Sequence, residues 1–347
     1  IYIMIFYAFH GNIYKESQFM CNMAYKLDKI DRRILFELDK NCRIADTVLA
    51  KKVRRSKESV RYRIKKLVDD EVILGFTTWI DPTKLGYQTA KIYLTLANKP
   101  EQRKRFIEKV KKDKRLFWLG LAEGAWNAGL TYFVQSNQEF FDLKNELFSE
   151  FKDLILDSKT GSLVSVHVHD KTFLYETQTE WLTMFKHPEQ VELDPLSKQI
   201  LKVLFKNGRE NIASIAHDLN TSVDKVRLRM RRMEQKEIIP KYTIALNYQK
   251  LGYEFYKTFL YFHNLSDNDL EDLMAHTRDN HHTVHLVKQI SPWDIELETM
   301  CSSYEEYNEI IGEITQQFSG SIQKVETAIM GEDYVFPSKK PVVFSEG

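Results

Sequence analysis

Between residues 27 and 80 the apolar positions form three helical stripes and one strand-like run. Ile30, Ile34, Leu35 and Leu38 recur at the spacing of an amphipathic helix, with Asp28 placed to cap it and Asp31 in its first turn. Val48, Leu49 and Val53 mark a second, shorter helix that Asp46 is placed to cap. A turn at Arg54-Arg55 leads to Ser56, the expected N-cap of a third helix, with Glu58 in its first turn and Val60, Ile64 and Leu67 as its buried stripe. The run 72–80 then reads as a strand, and Gly86 marks the turn beyond it.

Downstream the pattern alternates between strand and helix. Strands are expected at 88–97, 116–122, 128–135 and 163–170, and helices at 101–112 and 138–151. The order βαββαβ is that of a ferredoxin-like fold, a four-stranded antiparallel sheet with both helices on one face. Its open face needs cover, and Tyr93, Tyr132, Phe133, Phe255, Phe259 and Phe262 are the candidates to pack one sheet on another.

The whole pattern then repeats. Residues 27–98 align without a gap on 193–264 at a constant offset of 166: Leu27-Asp28 returns as Leu193-Asp194, Asn41 as Asn207, Ser56 as Ser222, Arg63 as Arg229, and Leu85-Gly86-Tyr87 as Leu251-Gly252-Tyr253. In the second copy the third helix carries Val226, Met230 and Met233 inward. Its sheet elements are expected at 254–263, 267–278, 283–290, 294–301, 304–317 and 322–330. The fold class is therefore α+β, a tandem duplication of a winged helix-turn-helix domain followed by a ferredoxin-like sandwich. The expected boundaries are 25–80 and 81–173 for the first copy, a linker at 174–192, and 193–246 and 247–332 for the second. An N-terminal extension, 1–24, and a tail, 333–347, flank them.

Charge changes the picture more than composition does. The chain of 347 residues is 43% hydrophobic and 29% charged, ordinary for a globular protein, with a net charge of only +1. Counted by segment, 28–80 holds 14 Lys/Arg against 9 Asp/Glu and 194–246 holds 11 against 6. Positive charge is thus concentrated in the helical front of each copy, where it can meet an anionic polymer. Cys21, Cys42 and Cys301 are widely spaced and odd in number, which reads as free thiols in a reducing cytoplasm. The apolar start is short and lacks a basic flank, so neither a signal peptide nor a membrane anchor is expected. Met20 and Met23 lie just before the first copy, and residues 1–22 are expected to come from upstream of the natural start.

Three short helices with a basic third one form the helix-turn-helix pattern. A basic helix face is often merely solvated, but a merely soluble helix usually mixes signs to gain i,i+4 pairs. Here acidic residues are scarce on both third helices, at the same place in a duplicated fold. The expected partner is double-stranded DNA. The expected contacts are Arg54, Arg55, Ser56, Lys57, Ser59, Arg61, Tyr62 and Lys65 in the first copy and Ser222, Lys225, Arg227, Arg229 and Arg231 in the second. Arg63, Lys66 and Arg232 lie beside the apolar stripe and are weaker candidates. The two third helices differ in their first two turns, Ser59 against Lys225 and Tyr62 against Leu228, so the copies are expected to read different half-sites.

The opening Leu27-Asp28-x-x-Asp31-x-x-Ile34-Leu35, the helix Ser56-x-x-x-Val60-x-x-Arg63-Ile64-x-x-Leu67 and the following Ile73-x-Gly75-Phe76 resemble two fused members of the Lrp/AsnC family, over roughly residues 25–173 and 191–332. The resemblance implies DNA binding by the helix-turn-helix, dimerisation through the sheet domain, and an amino acid or related metabolite as effector. In that family a Gly-x-aromatic-Asp turn lies near the effector site. This chain has Gly124-Ala125-Trp126-Asn127 and Ser291-Pro292-Trp293-Asp294 there. Gly124, Trp126, Asn127, Trp293 and Asp294 are thus the candidate effector residues, although both indoles read first as core or interface aromatics and only second as ligand stackers.

A fused chain can build the family's dimer within itself or with a neighbour, and further self-association is expected. The alternative function is an enzyme resembling the sirohaem decarboxylases, which share the fold, with histidines such as His167 as working residues. His276, His281, His282 and His285 cluster in sequence and His167 and His169 share a strand face, but no metal-binding or catalytic spacing accompanies them. Neither a metal nor a cofactor is expected.

Overall fold

The computed structural model describes residues 24–178, 180–185 and 190–335. The stretch through residue 23, with Cys21, and the tail beyond 335 lie outside the described residues. In chain order the first half contains α1 (Lys29–Lys40), α2 (Asp46–Val53), α3 (Lys57–Asp69), β1 (Ile73–Trp79), β2 (Gln88–Leu96), α4 (Pro100–Lys112), β3 (Leu116–Gly124), β4 (Ala128–Val134), α5 (Asn137–Glu150) and β5 (Ile155–His169). A short strand, β6 (Trp181–Met184), falls where only a linker was expected. The second half repeats the order as α6 (Pro195–Lys206), α7 (Ile212–Asp218), α8 (Val223–Gln235), β7 (Lys241–Leu246), β8 (Glu254–Phe262), α9 (Asp267–Asp279), β9 (Thr283–Ile290), β10 (Ile295–Cys301), α10 (Tyr304–Gln317) and β11 (Ile322–Val335).

The chain divides into two compact units, each assembled from both halves. One comprises the helical segments through Asp81 and 192–253 with 170–178; the other comprises 82–169, 179–191 and 254 onward.

In the helical unit, Asp28 and Asp194 cap α1 and α6, each accepting backbone N–H bonds from the first turn. Asp46 is not a cap: Ala45 takes that position without a side-chain bond, and Asp46 is the first helical residue. The two copies grip each other through β1 and β7, which pair antiparallel with Phe76 opposite Ile244 and Thr78 opposite Tyr242. The contact repeats about a pseudo-two-fold: the Cys42 amide donates to the Tyr242 carbonyl (3.0 Å) and the Gly208 amide to the Phe76 carbonyl (2.8 Å). Gly208 is required here, since a Cβ would lie 2.4 Å from the Thr77 carbonyl oxygen. Buried Asp39 binds Lys171, Lys241 and Thr243 and so ties α1 to β7. Burial alone would raise its carboxyl, but the two lysines outweigh that and hold it at about 2.

In the sheet unit, each copy has the strand order expected of its fold, β5-β2-β4-β3 and β11-β8-β10-β9. Each last strand is then shared. β5 pairs with β2 over its first half and with β9 over its second, while β11 pairs with β8 and then β3. These pairings close eight strands into a ring, so the ends of both four-stranded sheets are paired. β6 adds against the end of β5, with His169 opposite Trp181. Of the six aromatics expected between the sheets, Tyr132 and Phe262 instead join the cores beneath the helices, with Phe106 and Leu143 in one copy and Leu273 and Ile314 in the other. Among the described residues no helix is long and apolar enough to cross a membrane.

Candidate nucleic-acid interface

The third helices are oriented by their caps and stripes. Ser56 and Ser222 accept the amides of Ser59 (3.1 Å) and Lys225 (3.3 Å), so both hydroxyls are engaged in capping. Val60, Ile64 and Leu67 are buried on α3, as are Val226, Met230 and Met233 on α8, which turns the remaining faces outward. Arg54 closes α2 in the left-handed region at φ 54°, and its counterpart Asn220 does the same at φ 48°. Asn suits that conformation, whereas an arginine there keeps a cation at the turn against local preference.

The outward faces carry most of the expected residues. Arg54, Arg55, Arg61, Tyr62, Lys65, Lys225, Arg227 and Arg231 are exposed, with Lys57 and Ser59 partly so. Lys66 and Arg232 are exposed as well and belong with this set. Leu228, compared with Tyr62 but not among the expected contacts, is 46% exposed at the position of Tyr62, itself 68% exposed. The signal was the offset: an apolar residue outside the buried stripe, aligned with an aromatic one. Several cations have acidic partners on the surface, Arg61 with Asp46 (2.6 Å), Lys65 with Asp69 (2.5 Å) and Arg227 with Asp224 (2.7 Å). Such exposed pairs are weak and exchange readily for phosphate.

Arg229 departs from its expected role. Its guanidinium bonds the α6 cap Asp194 at 3.2 Å, as Arg63 bonds Asp28 (2.7 Å) and Asp31 (2.6 Å) on α1. Both arginines clamp the third helix to the first, and Arg229 has a packing role that was expected of Arg63, Lys66 and Arg232. Arg43 and Arg209 have the corresponding task between copies: Arg43 donates to the carbonyls of Gly208 (2.8 Å) and Glu210 (2.9 Å), and Arg209 pairs with Asp46. The two recognition helices therefore belong to one braced body.

The five candidate effector residues are occupied by the fold. The Asn127 side chain accepts the Leu96 amide (2.7 Å) and Asp294 accepts the Phe262 amide (2.9 Å), the same strand-end clasp in each copy. Trp126 and Trp293 are buried between the sheets around Tyr93, with centroids 5.3 and 5.0 Å from its ring. Gly124, at φ 113°, makes room for β11, since a Cβ would lie 2.3 Å from the Thr327 carbonyl oxygen. These positions help to build the closed ring, with the indole N–H groups of Trp126 and Trp293 buried and without a hydrogen-bond partner among the described residues.

The histidines disperse. His167 sits in register with Leu286, which belongs to the core beneath the helices, and contacts Thr183 Oγ1 at 3.0 Å, so it faces away from the space between the sheets. His169 lies against Trp181 on the same face, and burial, reinforced by His167, lowers it to about 4. His285 alone of the cluster lies between the sheets, bonded through Nδ1 to Glu298 at 2.5 Å.

Comparison with known proteins agrees with this geometry. A winged helix-turn-helix DNA-binding model matches residues 27–73 and 193–239. The HTH-type transcriptional regulator LrpA of Pyrococcus horikoshii is 36% identical over 98 residues, 28% of this chain and 69% of that protein. A second, uncharacterised HTH-type regulator of the same organism is 38% identical over 64 residues, 18% of this chain, and the match spans only 43% of that relative's length. Among solved structures, the siroheme decarboxylase NirDL superposes with a TM-score of 0.61 over 88% of this chain and 92% of its own, at 13% identity. At that identity the likeness establishes the fold alone.

Proposed function

Because the chain belongs to the Lrp/AsnC family of HTH-type transcriptional regulators, we propose that it binds double-stranded DNA through α3 and α8 together and regulates transcription from the bound site. The observation that carries this reading is the division of labour among the arginines. Arg63, Arg229, Arg43 and Arg209 fix the scaffold, while Arg61, Lys65, Lys66, Arg227, Arg231 and Arg232 are left on the outer faces of two helices in one body. A family member turned to catalysis has no use for such a face in both copies.

Cations that neutralise phosphates release counterions, so log affinity should fall steeply with log salt, with a slope of about −0.9 per phosphate contacted. Replacing Arg61 and Arg227 with Ala should flatten that slope while leaving the melting temperature nearly unchanged. Duplex affinity that does not vary between low and moderate salt would overturn the reading. Duplex retardation by protein free of bound tetrapyrrole separates it from the decarboxylase alternative. An amino acid or related metabolite remains the effector class to test, by thermal shift against the common L-amino acids. Further self-association would have to use surfaces other than the strand edges joined within the ring, and light scattering at micromolar concentration tests it.

A further inference from the structure

The fold brings together one donor set that neither the helical nor the inter-sheet chemistry uses. His282, Cys301 and Glu306 converge at one end of the second sheet, with a ring nitrogen, a thiol sulfur and a carboxylate oxygen all within 4.8 Å of one another. Each is positioned by backbone. His282 precedes β9 and is held by the Asn280 side chain at its amide (2.9 Å) and by the Met300 amide at its carbonyl (2.9 Å). Cys301 ends β10, fully buried, and Glu306 stands in the first turn of α10.

The hydrogen bonds give the donors a polarity. His282 Nδ1 lies 2.9 Å from the Met300 carbonyl oxygen, a pure acceptor, so Nδ1 carries the proton. In the neutral ring Nε2 then presents a lone pair, and it faces Glu306 Oε1 at 3.2 Å. The other Glu306 oxygen is already engaged by Ser302, through its amide (2.5 Å) and hydroxyl (3.0 Å). A lone pair facing a carboxylate oxygen is repulsive unless a proton or a metal cation lies between them, and with a thiol beside them the three donors suit a metal. A histidine whose second nitrogen donates to a backbone carbonyl is also the usual outer arrangement of a metal-bound imidazole.

We propose that His282 Nε2, Cys301 Sγ and Glu306 Oε1 form a three-ligand site for a divalent metal of zinc type, with a fourth position open to water or an exogenous donor. One nitrogen, one sulfur and one oxygen suit Zn²⁺, whose bonds of roughly 2.0–2.3 Å place tetrahedral donors about 3.3–3.6 Å apart.

The first copy supplies a control. At the corresponding positions it has Arg115, Val134 and Glu139. Glu139 keeps the same backbone bond, accepting the Gln135 amide at 2.7 Å, so the glutamate has a structural task common to both copies. The histidine and the thiol are peculiar to the second.

Cobalt titration of the full chain tests the site. Co²⁺ should bind at one equivalent with an intense thiolate-to-metal band in the near ultraviolet and visible bands of tetrahedral intensity, and Zn²⁺ should erase both. Cys301→Ser should abolish the thiolate band and His282→Gln should weaken binding, while Cys42→Ser, in the helical unit, should leave the spectrum intact. Zn²⁺ should raise the melting temperature of the parent protein and not that of Cys301→Ser. A cobalt spectrum without a thiolate band, or one unchanged in Cys301→Ser, would overturn the proposal.

Discussion

Where the first sheet copy places Trp118, Gly129 and Thr131 toward its partner, the second places His285, Glu296 and Glu298 at the corresponding positions. The first fills the space with one indole, laid so closely over Gly120 and Gly129 that a Cβ on either would lie 2.3 or 2.7 Å from it. The second fills it with charge. Lys91 of the first copy bonds Glu296 at 2.8 Å, Lys257 bonds Glu296 at 2.8 Å and also Glu298, and Tyr93 donates to Glu296 at 2.8 Å. Two lysines balance two glutamates, and Lys257 lies 4.8 Å from the centre of the Trp118 ring. Lys91 and Lys257 are the same position in the repeat, yet only the second copy supplies carboxylates. Two first copies together would bury both lysines facing Gly129 and Thr131, so the duplicated halves have become complementary rather than merely alike.

The largest expected effect comes from removing the carboxylate that both lysines share. Glu296→Leu strands Lys91 in a buried site, leaves Lys257 with Glu298 alone, and should lower unfolding free energy by about 3–5 kcal/mol in chemical denaturation. Thr131→Val, the same kind of change at an interior position of the first copy, should be far milder. Equal losses at the two positions would dissolve the comparison.

Acid should expose the same asymmetry. Burial lowers His285 to about 3 and His169 to about 4, so the folded protein binds fewer protons than the unfolded chain, whose histidines titrate near 6.5. The stability they contribute is present above pH 6.5 and is lost as pH falls from there toward 4, by roughly 3 kcal/mol for His169. Burial would raise Glu296, but Lys257 and Lys91 outweigh it and hold it at about 2, which adds a further loss as pH falls below 4.5. Denaturation followed across pH 4–7 should show His169→Gln flattening the upper part of that curve. An unchanged slope would mean that His169 is not buried in the neutral form.

A subtler difference lies at the two shared strand ends. Gly124 faces Ala328, whereas at the corresponding contact Ser291 meets Gly161, where a Cβ would come within 2.8 Å of the serine Cβ. Each contact has one glycine, supplied by opposite strands. Gly161→Ala should cost roughly 1–3 kcal/mol and be rescued by Ser291→Gly, because the obstacle is a side chain. Gly124→Ala should find no such rescue, since its obstacle is the Thr327 carbonyl and its φ is positive.

The smallest effect separates the clamping arginine of a third helix from the residues on its outer face. Arg229→Ala should lower the melting temperature by the equivalent of about 1 kcal/mol for its lost charge-assisted bond, with DNA selectivity unchanged. Lys225→Ala and Ser59→Ala should leave stability alone and relax selectivity in one half-site each. Selection from a random duplex library reads this directly, and a palindrome altered equally in both halves by either substitution would show that the recognition helices are not specialised.

Periodicity determined the local structure. The caps Asp28, Ser56, Asp194 and Ser222, the inward stripes of α3 and α8 and the strand-helix order of both sheets were legible, because each depends on residues within a few positions of one another. The first half of β5 was not. Residues 157–162 are polar and mostly half-buried, with no apolar alternation, and become strand because β2 offers its edge. The candidate interface residues followed the same rule. The basic outer faces could be read from the chain, but Arg61 and Arg229 could not be told apart as surface cation and clamp, since the Asp194 that claims Arg229 lies 35 positions away. The effector candidates were chosen by motif, and the structure engages them in closing the ring. The pairing of β11 with β3 and of β5 with β9, the neutral balance of Lys91, Lys257, Glu296 and Glu298, and the meeting of His282 with Cys301 came from tertiary structure alone. The first two depend on strands far apart in sequence and the third on the register of the adjacent β9 and β10, and no local periodicity encodes which residue will be opposite.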